Sequence, residues 1–80
     1  MNDETIRAEV RRVLGLVLGR TYADGAEIRR DQEPAWDSLK HVEIFFAVED
    51  RFGVHFTAEE LGSLSSSAKI AQAVERHLAA

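Results

Sequence analysis

The sequence predicts an all-α fold, a small four-helix bundle of three longer helices and one short one, with a long loop between the first two. Three observations predict it. Apolar residues recur at helical spacing in three separate stretches, and capping residues or glycine stops punctuate those stretches. No cysteine is present to staple a chain of only 80 residues, so aliphatic packing between helices must hold it together.

Each element follows from local rules. Between Asp3 and Leu18 the residues Ile6, Val10, Val13, Leu14 and Val17 fall on one stripe of a first helix, which Gly19 stops, with Arg11, Arg12 and Arg20 toward its C-terminal end. Residues 20–37 form a long connection with little periodicity, pinned to the core by Ile28. Asp37 is the predicted N-cap of a second helix that opens at Ser38, runs to about Phe52 and closes at Gly53. Its apolar residues form two stripes: Ile44, Phe45, Val48 and Phe52 suit the core, whereas Leu39, Val42 and Phe46 lie on a neighbouring face that begins beside Ser38. Thr57 and Glu60 read as a capping box for a short third helix over about 58–62, ended by Gly62 and tucked down by Leu61 and Leu64. The run Ser65-Ser66-Ser67 supplies the N-cap of a last helix, with Ile70, Val74 and Leu78 as its buried stripe.

Size and charge narrow the function. A single domain spanning 1–80 buries about 60–65 % of its unfolded surface, which leaves little room for an internal active-site cleft. The net charge of −4 is uneven: residues 37–60 alone carry −4, against +1 over 1–20, −2 over 21–36 and +1 over 61–80. Acid therefore gathers just after Ser38, which disfavours nucleic acid and favours partners with basic patches. Met1-Asn2-Asp3-Glu4-Thr5 lacks the basic-then-apolar order of a signal peptide, and no apolar run approaches membrane-spanning length, so a cytoplasmic, soluble monomer with no membrane partner is expected.

The stretch Pro34-Ala35-Trp36-Asp37-Ser38-Leu39 presents a hydroxyl at the end of a long loop, at a helix N-terminus, beside an apolar stripe and an acidic cluster. Asp37-Ser38-Leu39 followed by Val42-Glu43, Glu49-Asp50 and Phe52-Gly53 resembles the acyl carrier proteins and related phosphopantetheine-binding carrier domains, over nearly the whole chain. The resemblance implies that Ser38 is esterified by a 4′-phosphopantetheine arm, transferred from coenzyme A by a separate phosphopantetheinyl transferase. It also implies that intermediates of fatty-acid, polyketide or other specialised biosynthesis travel as thioesters on that arm, while the chain itself is not an enzyme. Asp37 and Leu39 would flank the attachment point. Val42 and Phe46 would touch acyl-loading, condensing or modifying enzymes, whose basic patches would pair with Glu43, Glu49 and Asp50.

Departures from the family pattern bear on partners. Lys40 and Arg51 stand at helix-two positions that are often acidic in fatty-acid carriers, and Trp36 stands where a small residue is usual, as in freestanding carriers of specialised pathways. Trp36 reads first as a loop anchor, and second as a partner contact. An aminoacyl, glyceryl or aryl cargo fits the same scaffold, and an unmodified, non-enzymatic interaction module is the alternative outside the carrier class. A cargo cleft is expected among Ile44, Phe45, Ile70 and Val74. His41, three residues after Ser38, invites a catalytic triad, but a helix surface on so small a bundle offers neither an orienting acid nor a dry oxyanion hole. His55 reads as a loop residue, His77 as a last-turn partner of the helix dipole, and no spacing matches a metal site.

Overall fold

The computed structural model describes residues 2–79, so Met1 and Ala80, the two ends of the domain read over 1–80, lie outside it. Four helices, α1 (Asp3–Leu18), α2 (Ser38–Phe52), α3 (Ala58–Ser63) and α4 (Ser67–Ala79), form a small all-α bundle in which α1 packs against both α2 and α4. The long α1–α2 connection contains one 3-10 turn, Arg30–Gln32.

Helix ends follow their capping chemistry. The Asn2 side chain accepts from Thr5 N–H, Asp3 and Glu4 sit at the positive end of the dipole, and Gly19, at φ 71°, returns its N–H to the Gly15 carbonyl. The last turn of α1 holds no basic residue: Arg11 and Arg12 stand further back in the helix, and Arg20 lies beyond the cap, where it pairs with Glu33. Gly15 matters for space: a Cβ there would stand 2.7 Å from the Arg20 carbonyl oxygen, where the chain folds back over the helix end.

Ile6, Val10, Val13, Leu14 and Leu18 of α1 meet Ile44, Phe45, Val48 and Phe52 of α2 and Ile70, Ala71, Ala73 and Val74 of α4 in one core. Val17, placed on the stripe by its spacing, is only half-buried, and Leu18 takes the last core position. Ile28 and Trp36 enter this core from the loop, and Phe56 closes it beneath α3 with its ring edge-on to Phe45 at 5.4 Å.

Three expectations are corrected. Gly62 does not end α3; the helix continues to Ser63 because Leu64 N–H still bonds the Glu60 carbonyl, and Leu64 then turns into the core. Leu78 is 45 % exposed, because burial along α4 ends at Val74 and the final turn runs past the packed layer. No cleft opens among Ile44, Phe45, Ile70 and Val74, which are at most 2 % exposed and pack as core.

Loop residues 27–30 lie along the α3–α4 link. Arg29 and Ser66 form an antiparallel bridge, in which Arg30 N–H donates to the Ser65 carbonyl at 2.9 Å and Ser67 N–H to the Ile28 carbonyl at 2.8 Å. The Glu27 carboxylate accepts from the Ser67 hydroxyl and from Ala68 N–H, so the start of α4 is capped from a segment forty residues upstream as well as by Ser66, whose hydroxyl accepts from Lys69 N–H.

Candidate functional site

Asp37 holds extended backbone, and its carboxylate accepts from Lys40 N–H at 2.8 Å, which makes Ser38 the first residue of α2. Ser38 is exposed, and the one side-chain group within hydrogen-bond distance of its hydroxyl among the described residues is Arg30 Nη2, at 3.4 Å. The free N–H groups and positive dipole end of a fifteen-residue helix therefore face an accessible hydroxyl.

The approach to Ser38 is fixed by Glu33. Its carboxylate accepts from the Tyr22 hydroxyl at 2.7 Å and Ala35 N–H at 3.1 Å, and pairs with Arg20 Nε at 2.9 Å, which ties the two ends of the loop together. The Tyr22 phenol donates to it, with Ala35 N–H and Arg20 assisting, and this holds the Glu33 carboxyl below its ordinary value against partial desolvation. Burial, then the bond to Glu33, pushes the Tyr22 phenol up to about 12.

Trp36 is an anchor. Only 3 % exposed, it donates its indole N–H to His41 Nδ1 at 3.0 Å, and His41 Nε2 stands 2.6 Å from the Leu61 carbonyl. An indole nitrogen can only donate, so the neutral imidazole accepts on Nδ1 and carries its proton on Nε2 toward Leu61. The loop, α2 and α3 are thus joined through one ring, which also meets Phe45 edge-on at 4.8 Å. Both ring nitrogens are engaged, and neither serves Ser38 as a base. His77 bonds the Glu60 carboxylate, and His55 is exposed at 97 % of its side chain.

The second apolar stripe of α2 lies open to solvent: Leu39 is 66 %, Val42 50 % and Phe46 68 % exposed. Val42, Phe46, Phe45, Leu61 and Gly62 line a groove of about 300 Å³ between α2 and α3, with Arg30 at its rim. Of the residues expected to bound a cargo cleft, only Phe45 reaches it. The acids of this face differ in freedom. Asp50 is exposed, Glu43 pairs with Lys40 at 3.3 Å, and Glu49 is turned inward to accept Phe56 N–H at 2.7 Å.

Sequence reasoning missed Arg30, Glu33 and Glu27. All three act across the loop, and nothing in local spacing marks them. Among the described residues no group of three or more His, Asp or Glu side chains converges as a metal site would, and no helix is long and apolar enough to cross a membrane. Comparison with protein-family models, with curated proteins and with solved structures finds no match.

Proposed function

We propose that this chain is a carrier protein, modified on Ser38 by a 4′-phosphopantetheine arm and carrying pathway intermediates as thioesters. One observation carries the reading: an exposed serine hydroxyl opens α2 immediately beside an uncovered apolar stripe of the same helix. In the modification, Ser38 Oγ bonds to the β-phosphorus of coenzyme A while adenosine 3′,5′-bisphosphate leaves with the electrons of the broken P–O bond. The hydroxyl proton passes to a base of the transferase, because His41 is committed to Trp36 and Leu61.

The residues present fit the arm. The hydroxyl is accessible, the helix start favours a phosphate on it, and Arg30 supplies a cation on the loop side. When bound, the arm supplies a thiol that this cysteine-free chain lacks. The chain's own part is presentation: Asp37 fixes the helix start, Trp36 and Glu33 fix the approach, and Leu39, Val42 and Phe46 offer an apolar contact next to the exposed acid Asp50 for basic partner enzymes.

The deciding experiment is the intact mass of the protein after incubation with coenzyme A and a broad-specificity phosphopantetheinyl transferase. One added arm on the wild type and none on Ser38→Ala is the expected result. An unchanged mass, under conditions that modify a control carrier, sinks the proposal in favour of an unmodified interaction module that docks through the α2 face. Aminoacyl, glyceryl and aryl cargoes share the same attachment chemistry and are separated by the loading enzymes the modified protein accepts.

A further inference from the structure

Five of the eight arginines have a carboxylate partner; Arg7, Arg11 and Arg30 have none among the described residues, and of these three Arg30 is the one beside Ser38. Arg12 and Arg51 pair with Glu9, Arg20 with Glu33, Arg29 with Asp31 and Arg76 with Glu60. Arg30 has no carboxylate partner among the described residues, although Asp31 is its neighbour in sequence, because Asp31 is held by Arg29 at 3.0 Å. Among the described residues, the only hydrogen bond of its guanidinium reaches Ser38 Oγ, at 3.4 Å. Its backbone is not free to wander: Arg30 N–H donates to the Ser65 carbonyl, and the 3-10 turn that it opens is closed by the bond from Glu33 N–H to the Arg30 carbonyl.

We propose that Arg30 is the positioning residue for the phosphodiester of the modified serine, an inference that rests on the carrier reading above. A 3.4 Å contact to a neutral hydroxyl is weak, but a phosphate on that oxygen would place non-bridging oxygens two bonds beyond Oγ, within reach of the guanidinium fork. The assignment answers an electrostatic difficulty of the site. Asp37, which caps α2 beside Ser38, repels an added phosphate, and the nearest cation on the helix, Lys40, is paired with Glu43. Arg30 supplies the missing positive charge from the opposite side. It also borders both the groove over Trp36, Ser66 and Lys69 and the apolar groove over Val42 and Phe46, so a phosphate held there fixes where the arm leaves the protein surface. Before modification the same guanidinium is left without a counter-ion, ready for the anion.

The test compares wild type, Arg30→Gln and Arg30→Lys, each converted with coenzyme A and checked by intact mass. Two readouts follow: the phosphorus NMR shift of the phosphodiester, and the melting temperature of the modified minus the unmodified form. In the wild type the phosphorus signal should move with added salt, and modification should raise the melting temperature relative to the change in Arg30→Gln by about 2–8 °C at low ionic strength. Arg30→Lys, which keeps the charge, should recover part of both effects. Equal shifts and equal melting differences in wild type and Arg30→Gln would overturn the assignment while leaving the carrier reading intact. A wild type that gains no arm would remove both. Should the unmodified Arg30→Gln protein already melt much lower than the wild type, Arg30 has a structural role, and an unchanged phosphorus shift in the folded Arg30→Lys protein on raising the salt then counts against it as a phosphate ligand.

Discussion

Replacing His41 with leucine tests how the loop that presents Ser38 is held. His41 accepts a hydrogen bond from the Trp36 indole N–H at 3.0 Å and donates one to the Leu61 carbonyl at 2.6 Å, so leucine keeps apolar contact with Phe45 while orphaning a donor and an acceptor. A buried polar group left unpaired costs about 1–3 kcal/mol; with His41 half-buried, the lower part of that range applies, and two orphans give roughly 2–3 kcal/mol. A domain of 80 residues has about 4–12 kcal/mol of stability in all, so the change should be large. At about 4–8 °C per kcal/mol, the variant should melt roughly 10–20 °C below the wild type by far-UV circular dichroism. Trp36→Phe removes the same indole donor together with part of a buried ring, and should cost about 1.5–3 kcal/mol. The double variant then isolates the bond: the two costs should overlap by about 1 kcal/mol, because the interaction is lost only once. Strictly additive costs would refute the Trp36–His41 bond. A loss below about 0.5 kcal/mol for His41→Leu, within the range of ordinary surface changes, would refute the tether as a whole.

Two further outcomes follow from the loop. The Tyr22 phenol, ordinarily ionising near 10 and pushed up to about 12 by burial and Glu33, has a raised folded-state value. Its contribution to stability is therefore complete below about pH 10 and lost as pH rises toward 12, so Tyr22→Phe should flatten the alkaline limb of the stability curve between those values; an unchanged limb would show that Tyr22 and Glu33 are not joined as described. Glu27→Ala removes the carboxylate that accepts from the Ser67 hydroxyl and Ala68 N–H, and should destabilise by about 1–2 kcal/mol in urea unfolding with an unchanged m-value; an unchanged midpoint would exclude Glu27 as a cap of α4.

What the sequence could say was what neighbours in the chain decide. The bounds of α1, the Asp37 cap, the opening of α2 at Ser38 and the Thr57–Glu60 capping box all rest on contacts within about one helical turn, and each stands in the structure as read. The division of α2 into a core stripe and an exposed one was legible for the same reason, since burial sorts by helical face. Contacts across the loop were not legible. Glu27 reaches Ser67, Arg29 bridges to Ser66 and Glu33 gathers Tyr22 and Arg20, at separations where one sequence carries no pairing signal. Glu49 shows a subtler limit. Its position on α2 marks it as a member of the acidic face, yet its carboxylate folds back onto Phe56 N–H seven residues later, a choice made by the turn after Gly53.

These long-range contacts make the presentation of Ser38 inseparable from the bundle. A loop of this length could lie over a finished core and fray on its own, since local opening is governed by how few buried contacts a segment makes. Here the segment carries Ile28 and Trp36 into the core at 2 % and 3 % exposure, caps α4 through Glu27, and joins α3 through His41. Detaching it would expose an indole, remove one of the two caps of α4 and leave His41 Nδ1 without its donor at once, so each anchor raises the cost of losing the others. The consequence reaches the site. Arg30 lies between two anchored points, Ile28 and Trp36, and Ser38 follows the second by two residues at the start of α2, so the backbones that carry guanidinium and hydroxyl are set by the fold rather than by a mobile loop. A small bundle whose core is closed among Ile44, Phe45, Ile70 and Val74 can still hold a defined site on its surface, provided the segment that carries the site is itself part of the core.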